Sequence, residues 1–283
     1  MSSFKPARVG DAPLIKWGLI ILAILLSCLL LLVPLVSIFH QAFASGWQLY
    51  VEHLSQPDTL HAIGLTLLVA ALTVPINLVF GIMLAWCVTR FEFPGRKLLI
   101  TLMDIPFAVS PVVAGLLYLL LYGNSGWIGS WLFEHDLQVM FAWPGIVLVT
   151  IFVTCPFVAR ELIPLMQQQG AAEEEAAVIL GASWWQLFRR VTLPNIKWAL
   201  IYGVILTNAR AVGEFGAVAV VSGNIRGETN TLPLQVQLLY EDYQAEAAFA
   251  SASLLAMIAL FTLLLKAVVE WRQQRSLSAN NNE

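Results

Sequence analysis

Six apolar segments, each long enough to cross a lipid bilayer, constrain the fold of this chain more than any other feature. A hydrocarbon core of about 30 Å requires roughly 20 apolar residues in an α-helix, which satisfies its own backbone polar groups. With 59% hydrophobic and 12% charged residues, the 283-residue chain is unlike ordinary soluble domains. We therefore predict an all-α membrane protein with spans at about residues 17–39, 63–88, 98–122, 139–159, 198–221 and 247–269.

The positions of lysine and arginine predict the orientation of these spans. If the N-terminus is cytoplasmic, thirteen of the fifteen basic residues lie on or near the cytoplasmic side, whereas Arg226 lies outside and Arg210 within a span. The predicted parts are a cytoplasmic N-terminal segment 1–16, a transmembrane domain 17–270 and a cytoplasmic tail 271–283. Both termini are then cytoplasmic. The thirteen residues are Lys5, Arg8, Lys16, Arg90, Arg96, Lys97, Arg160, Arg189, Arg190, Lys197, Lys266, Arg272 and Arg275.

Two of the segments predicted to be external are expected to form structure of their own. Residues 123–138 combine Trp127, Trp131 and Phe133 with glycine and serine, which favours a short helix at the membrane interface. Residues 222–246 are long enough to fold over the outer end of the bundle.

A polar segment at residues 170–197 reads as two short helices joined by a tight turn. Residues 173–175 are all glutamate, which suits the first turn of a helix, and Gly181 is a typical residue after a helix end. Ser183 and Gln186 form a capping-box pattern that starts the second helix, and Pro194 is predicted to end it. Large apolar side chains on the second helix favour a docking surface over an active site: Trp184, Trp185, Leu187 and Phe188.

The same segment resembles the EAA signature of ABC-importer permeases. The pattern is Glu175-Ala176-Ala177, then Gly181, then Val191-Thr192-Leu193-Pro194, with valine where the family usually has isoleucine. The resemblance implies a six-span type I (MetI-like) permease bundle with its core at about residues 60–268. It also implies that loop 170–197 couples the permease to an ATPase subunit through Glu175, Ala176, Ala177, Gly181, Val191, Leu193 and Pro194.

The fifth segment contains a possible ion pair within the membrane. Arg210 and Glu214 lie four residues apart on one helical face, so their side chains can pair. Two interpretations remain open, because ionisable groups in spans are costly and often functional. The pair can be a structural salt bridge, or Arg210, with Asn208, can donate hydrogen bonds to a divalent oxyanion crossing the midplane.

The third segment combines a carboxylate with two prolines. Pro106 and Pro111 predict an irregular backbone, which membranes tolerate only against protein or a water-filled cavity. We therefore expect this segment, with Asp104 and Ser110, to face the bundle interior. At 1.5 Å per residue Asp104 lies closer than Arg210 to the cytoplasmic end, so the two are not expected to pair. In the fourth segment, the charges at Arg160-Glu161 predict an early end of the helix.

Longer stretches narrow the resemblance to the inner-membrane permeases of bacterial sulfate/thiosulfate ABC importers. These stretches are RFEFPGRK, LLITLMDIPFAVSPVVAGLLYLL and LTNARAVGEFGAVAVVSGNIRGET. The resemblance implies a bacterial inner-membrane location, a second, T-type permease subunit, two copies of an ABC ATPase and a periplasmic sulfate/thiosulfate-binding protein. Molybdate permeases share much of this core, so a related oxyanion remains an alternative substrate.

Several other functions lack the residues they would need. The chain has no Gly-Lys pair and hence no P-loop, so ATP-Mg is expected on a partner subunit and no cofactor on this chain. The cysteines and histidines lack metal-ligand spacing, no basic run suggests nucleic acid, and no catalytic constellation indicates an enzyme. A proton-coupled anion transporter that uses Asp104 and Glu214 remains an alternative of a different class.

Overall fold

The computed structural model describes the backbone of residues 13–280 and the side chains of residues 16–272. Residues 1–12 of the predicted N-terminal segment, with Lys5 and Arg8, and the side chain of Arg275 lie outside this part of the chain. Every element in it is a helix: α1 (Pro13–Ser27), α2 (Val33–Phe43), α3 (Trp47–Leu54), α4 (Pro57–Arg90), α5 (Arg96–Ala108), α6 (Pro111–Tyr122), α7 (Gly129–Glu134), α8 (Trp143–Thr154), α9 (Pro156–Gln169), α10 (Ala172–Ile179), α11 (Trp184–Leu187), α12 (Leu193–Val212), α13 (Gly216–Ser222), α14 (Leu232–Glu241) and α15 (Ala245–Asn280).

When each bent helix pair is counted as one span, the described residues hold six segments long and apolar enough to cross a membrane. Four are long apolar helical stretches: Lys16–Phe43, Pro57–Arg90, Trp143–Gln169 and Ala245–Arg272. The other two are bent pairs, α5 with α6 at 107° and α12 with α13 at 52°. The predicted all-α class and the number of spans are confirmed.

The predicted course of two spans is corrected. The fifth is not a single helix, since it breaks at residues 213–215, whereas the irregular backbone predicted for the third is confirmed by a break at Val109-Ser110. The fourth does not end at Arg160, because α9 continues to Gln169. An arginine fits within this span because the carboxylate of Asp104 lies 3.0 Å from its guanidinium.

Pro194 does not end the second helix of the 170–197 segment, contrary to the prediction. After α11 the chain makes a π-helical turn at Phe188–Thr192, in which the Leu193 N–H donates to the Phe188 carbonyl, and it continues directly as α12. Proline lacks a donor and its ring clashes with the preceding turn of a regular helix. The proline here occupies the first turn of α12, and the wider π turn before it accommodates the ring.

The two largest clusters of the hydrophobic core involve α4, α8, α9, α12 and α13. The cluster nearer the 170–197 segment, which we call the loop end of the bundle, includes Leu84, Val88, Val158, Leu162 and Ile196. The cluster nearer the opposite end includes Leu65, Val69, Ile146, Val218 and Leu234. Between them, the buried Asn77 amide donates to Thr154 Oγ1 at 2.7 Å, which joins α4 to α8.

Short helices cover the end opposite the loop end. α7 confirms the short helix predicted within residues 123–138. In the 222–246 segment, α14 packs on α4, and the Leu232 N–H donates to Thr66 Oγ1 at 2.8 Å. These contacts close the bundle at this end.

Two glycines allow three helices to approach closely at Val158. A Cβ atom added at Gly81 of α4 would lie 2.6 Å from Val158 Cβ, and one added at Gly203 of α12 would lie 3.0 Å from Val158 Cα. Val158 belongs to α9 and is fully buried. Small residues are the usual means of helix association in lipid, where apolar side chains gain little from leaving the bilayer.

We therefore expect Gly81→Ala to destabilise the protein by about 1–3 kcal/mol, since the added methyl group forces apart two tightly packed helices. The measurement is thermal unfolding of the detergent-solubilised protein. Gly64→Ala in the same helix is the matched control, because a Cβ there meets nothing within 4 Å. The control should be neutral or slightly stabilising. Equal melting temperatures for the two variants would contradict the packing argument.

Candidate functional site

The two broken spans meet at their breaks. A Cβ added at Gly216, the first residue of α13, would lie 3.2 Å from Pro111 Cβ at the start of α6. One turn further on, a Cβ at Gly115 would lie 2.8 Å from the Ala217 carbonyl. The irregular backbone of each span is thus placed against the other. Such backbone is tolerated at membrane depth only where protein or a water-filled cavity covers it.

An ion pair lies beside these paired breaks. Arg210 Nη1 is 2.6 Å from Glu214 Oε2, and the Glu214 side chain is 1% exposed while that of Arg210 is 34% exposed. Glu214 Oε1 also accepts a hydrogen bond from the Ala217 N–H at 3.0 Å. The carboxylate therefore caps the first turn of α13 and holds the guanidinium at the end of α12.

Ser110 and Asn208 take different positions relative to this pair. Ser110 is exposed at the break before Pro111, so the structure brings it to the same region as Arg210 and Glu214. Asn208 is half-buried on α12, two residues before Arg210. Residues two apart on a helix point in nearly opposite directions, so Asn208 and Arg210 do not share a face.

Asp104 belongs to a separate ion pair that the sequence did not reveal. Arg160 Nε donates to Asp104 Oδ1 at 3.1 Å, and the guanidinium also lies 4.1 Å from the Phe107 ring centroid. Both charged side chains are about half exposed. The expected interior orientation of this segment is therefore only partly right: Pro106 and Ala114 are buried, whereas Asp104 lies on an open face. Asp104 and Arg210 are not paired, as predicted.

The 170–197 segment folds as a helix, a turn and a second helix. α10 runs from Ala172 to Ile179, and Gly181 adopts φ +84° in the left-handed region. The capping box is present: the Gln186 N–H donates to Ser183 Oγ, and Gln186 Oε1 accepts from the Ser183 N–H. The predicted first helix, the turn at Gly181 and the capping box are therefore confirmed up to Gln186.

This segment exposes several apolar side chains. Ile179 and Leu180 are 85% and 87% exposed, and Trp184 is 69% exposed. Around the EAA residues, Glu175, Ala176 and Gly181 are exposed and Ala177 is half-buried. Later in the segment, Val191 and Leu193 are half-buried, and Pro194 is exposed.

Glu174, which the sequence analysis did not single out, is the glutamate that faces the bundle. Its carboxylate binds Arg90, with Arg90 Nε 2.6 Å from Oε2, and accepts a hydrogen bond from Thr192 Oγ1 at 2.8 Å. Three consecutive glutamates give no sequence signal that tells which one turns inward. The partner 84 residues away is visible only in the folded chain.

Helical spans with two paired breaks and an exposed apolar loop are features of a polytopic membrane protein, and its similarity to known proteins defines its class as an ABC-importer permease subunit. The family model of the binding-protein-dependent transport system inner membrane component matches residues 77–277. The chain is 64% identical to the sulfate transport system permease protein CysW of Escherichia coli over 91% of this chain and 88% of that one. It is 41% identical to the CysT permease protein of the same species over 85% and 89%.

A solved structure agrees on the fold. A bacterial ABC transporter involved in the import of the acidic polysaccharide alginate superposes with a TM-score of 0.74, at 17% identity, over 92% of this chain and 95% of that one. The chain belongs to the family of inner membrane components of binding-protein-dependent transport systems.

We expect Glu214→Gln to destabilise the protein by about 1–3 kcal/mol, because it leaves the Arg210 charge unpaired beside a buried amide. The amide oxygen can still cap α13, so the loss reports on charge. Thermal unfolding in detergent measures it, with Glu134→Gln on an exposed helix as control. The double variant Arg210→Gln with Glu214→Gln should recover part of the loss. A single variant as stable as the control would contradict an energetically important pair.

Proposed function

We propose that this chain is one of two membrane-spanning permease subunits of an ATP-driven importer of sulfate and thiosulfate. The observation that carries the proposal is the 64% identity to a sulfate transport system permease over 91% of the chain. The compared stretch covers 257 residues of this chain. A related oxyanion such as molybdate is the alternative substrate.

The proposed assembly contains four further subunits. A T-type permease is the second membrane subunit, which fits the 41% identity between this chain and a CysT protein. Two copies of an ABC ATPase bind ATP-Mg and dock on the exposed apolar side chains around Ile179, Leu180 and Trp184. A periplasmic binding protein delivers the anion. This chain itself holds no cofactor in the proposed complex.

In the proposed complex, the chain is oriented with the loop end of its bundle in the cytoplasm. Arg90, Lys97, Arg189 and Lys197 all lie at that end, as the preference for positive charge on the cytoplasmic side requires. Both termini are then cytoplasmic. Closure of the ATPase pair pushes on α10 and alternates the bundle between outward-open and inward-open states.

In this proposal the paired breaks form the translocation path. Ser110 and Arg210 supply donors to the oxyanion, and Glu214 holds the guanidinium in place through an ion pair of 2.6 Å. The one-third exposure of Arg210 leaves part of its planar fork available. A guanidinium suits a tetrahedral dianion because it can donate two parallel hydrogen bonds.

Purification and reconstitution test the proposal. The chain, extracted from native membranes in detergent, should co-purify with an ATPase and a second permease. In proteoliposomes, with purified binding protein, ATP hydrolysis and anion uptake should respond to sulfate or thiosulfate. A response to molybdate alone would reassign the substrate. A chain that purifies alone and moves anions without nucleotide would replace the proposal by the proton-coupled alternative.

Replacement of Arg210 tests its contact with the anion. We expect Arg210→Lys to lower the maximal uptake rate about tenfold with normal assembly, because lysine keeps the charge but loses the bidentate fork. Uptake of radiolabelled sulfate by the reconstituted complex is the measurement. Arg96→Lys, at the start of α5, is the control. Unchanged uptake would assign Arg210 to the structural salt bridge instead.

A further inference from the structure

The coupling helix α10 touches the bundle through polar contacts rather than through an apolar face. None of its residues is buried. A polar cavity of about 250 Å³ lies behind it, lined by Arg90, Gln169, Gly170, Glu173, Glu174, Thr192 and Asn195. The apolar contact of this segment with the spans lies outside α10, where Trp184 and Phe188 lie against Trp86 of α4. The direct contacts of α10 itself run through the side chains that line this cavity.

The carboxylate of Glu174 joins three membrane spans. Arg90, the last residue of α4, binds it with two nitrogen atoms, at 2.6 Å from Oε2 and 3.2 Å from Oε1. The same guanidinium donates to the Met166 carbonyl of α9 at 3.1 Å. Thr192, in the π-helical turn before α12, donates to Glu174 Oε1 at 2.8 Å. The Arg90 and Glu174 side chains are only 11% and 12% exposed.

Two of these spans reach sites far from Glu174: the contact with α14 at the opposite end, and the paired breaks. α4 extends 34 residues to the opposite end, where Thr66 binds α14. α12 ends at Arg210 beside the paired breaks. A displacement of Glu174 is thus applied to a helix that crosses the whole bundle and to the helix that reaches the translocation path. The neighbouring Glu173 accepts an exposed hydrogen bond from Asn195.

We propose that Glu174, bound to Arg90 and Thr192, is the positioning residue that transmits movement of the coupling helix to the second and fifth spans. The inference deepens the proposed function and rests on it. It assigns different roles to two neighbouring glutamates. Glu175 is exposed on the surface where the proposed ATPase docks, and Glu174 is turned toward the bundle. Buried charge-assisted bonds suit this role because they are directional and are screened little by salt.

The test compares uptake with ATP hydrolysis in the reconstituted complex. We expect Glu174→Gln to assemble with the ATPase and to hydrolyse ATP in response to loaded binding protein. It should import about tenfold less sulfate per ATP, since the amide loses the negative charge and the acceptor for Arg90 Nε, which lies 2.6 Å from Oε2. Glu92→Gln is the matched control, an exposed carboxylate two residues from Arg90. It should keep the wild-type ratio.

A milder variant keeps the inference testable if Glu174→Gln does not fold. Thr192→Val keeps the volume of the side chain and removes only the hydroxyl donor, so it should assemble and lower the uptake per ATP by a smaller factor than Glu174→Gln. A wild-type ratio in both variants would overturn the inference, as would a parallel loss of assembly, hydrolysis and uptake in both. If the wild-type complex itself imports no sulfate, the proposed function fails instead, and the two failures are therefore distinguishable.

Discussion

The close approach of α4, α9 and α12 at Val158 is the contact on which the rest of the structure depends. Gly81 and Gly203 let two backbones come against this one buried side chain. In lipid such packing replaces the hydrophobic effect as the source of helix association. At the loop end, Arg90 of α4 binds the Met166 carbonyl of α9 and Glu174, and Thr192, just before α12, binds the same Glu174 carboxylate. Close packing in the bundle thus fixes the frame that holds α10.

The two broken spans follow from the same constraint. A backbone break inside a bilayer exposes polar groups, and each break in this chain is covered by the other, with Gly216 against Pro111. The Glu214 carboxylate satisfies the new helix start at the Ala217 N–H. α12 connects this region to Thr192, which donates a hydrogen bond to Glu174 of α10.

The parts that could be predicted from sequence depend on local patterns. Span number follows from segment length, and the Ser183 capping box and the Gly181 turn follow from residues within one or two turns. The prolines predicted helix ends less well. Pro111 follows a true break, but α5 runs through Pro106, and a π turn accommodates Pro194. The ion pairs of Arg90 and Arg160 join residues 84 and 56 positions apart, and no local pattern specifies such partners.

The described part of the chain leaves several faces of its spans open. The Asp104 and Arg160 side chains are about half exposed within spans, and charged groups at that depth require protein or water rather than lipid tails. The first span, Lys16–Phe43, has none of its most apolar window buried in the chain. Arg210 is likewise open on one side. A second permease subunit that covers these faces would enclose the paired breaks between the two chains, where a polar path for an anion can exist without contact with lipid.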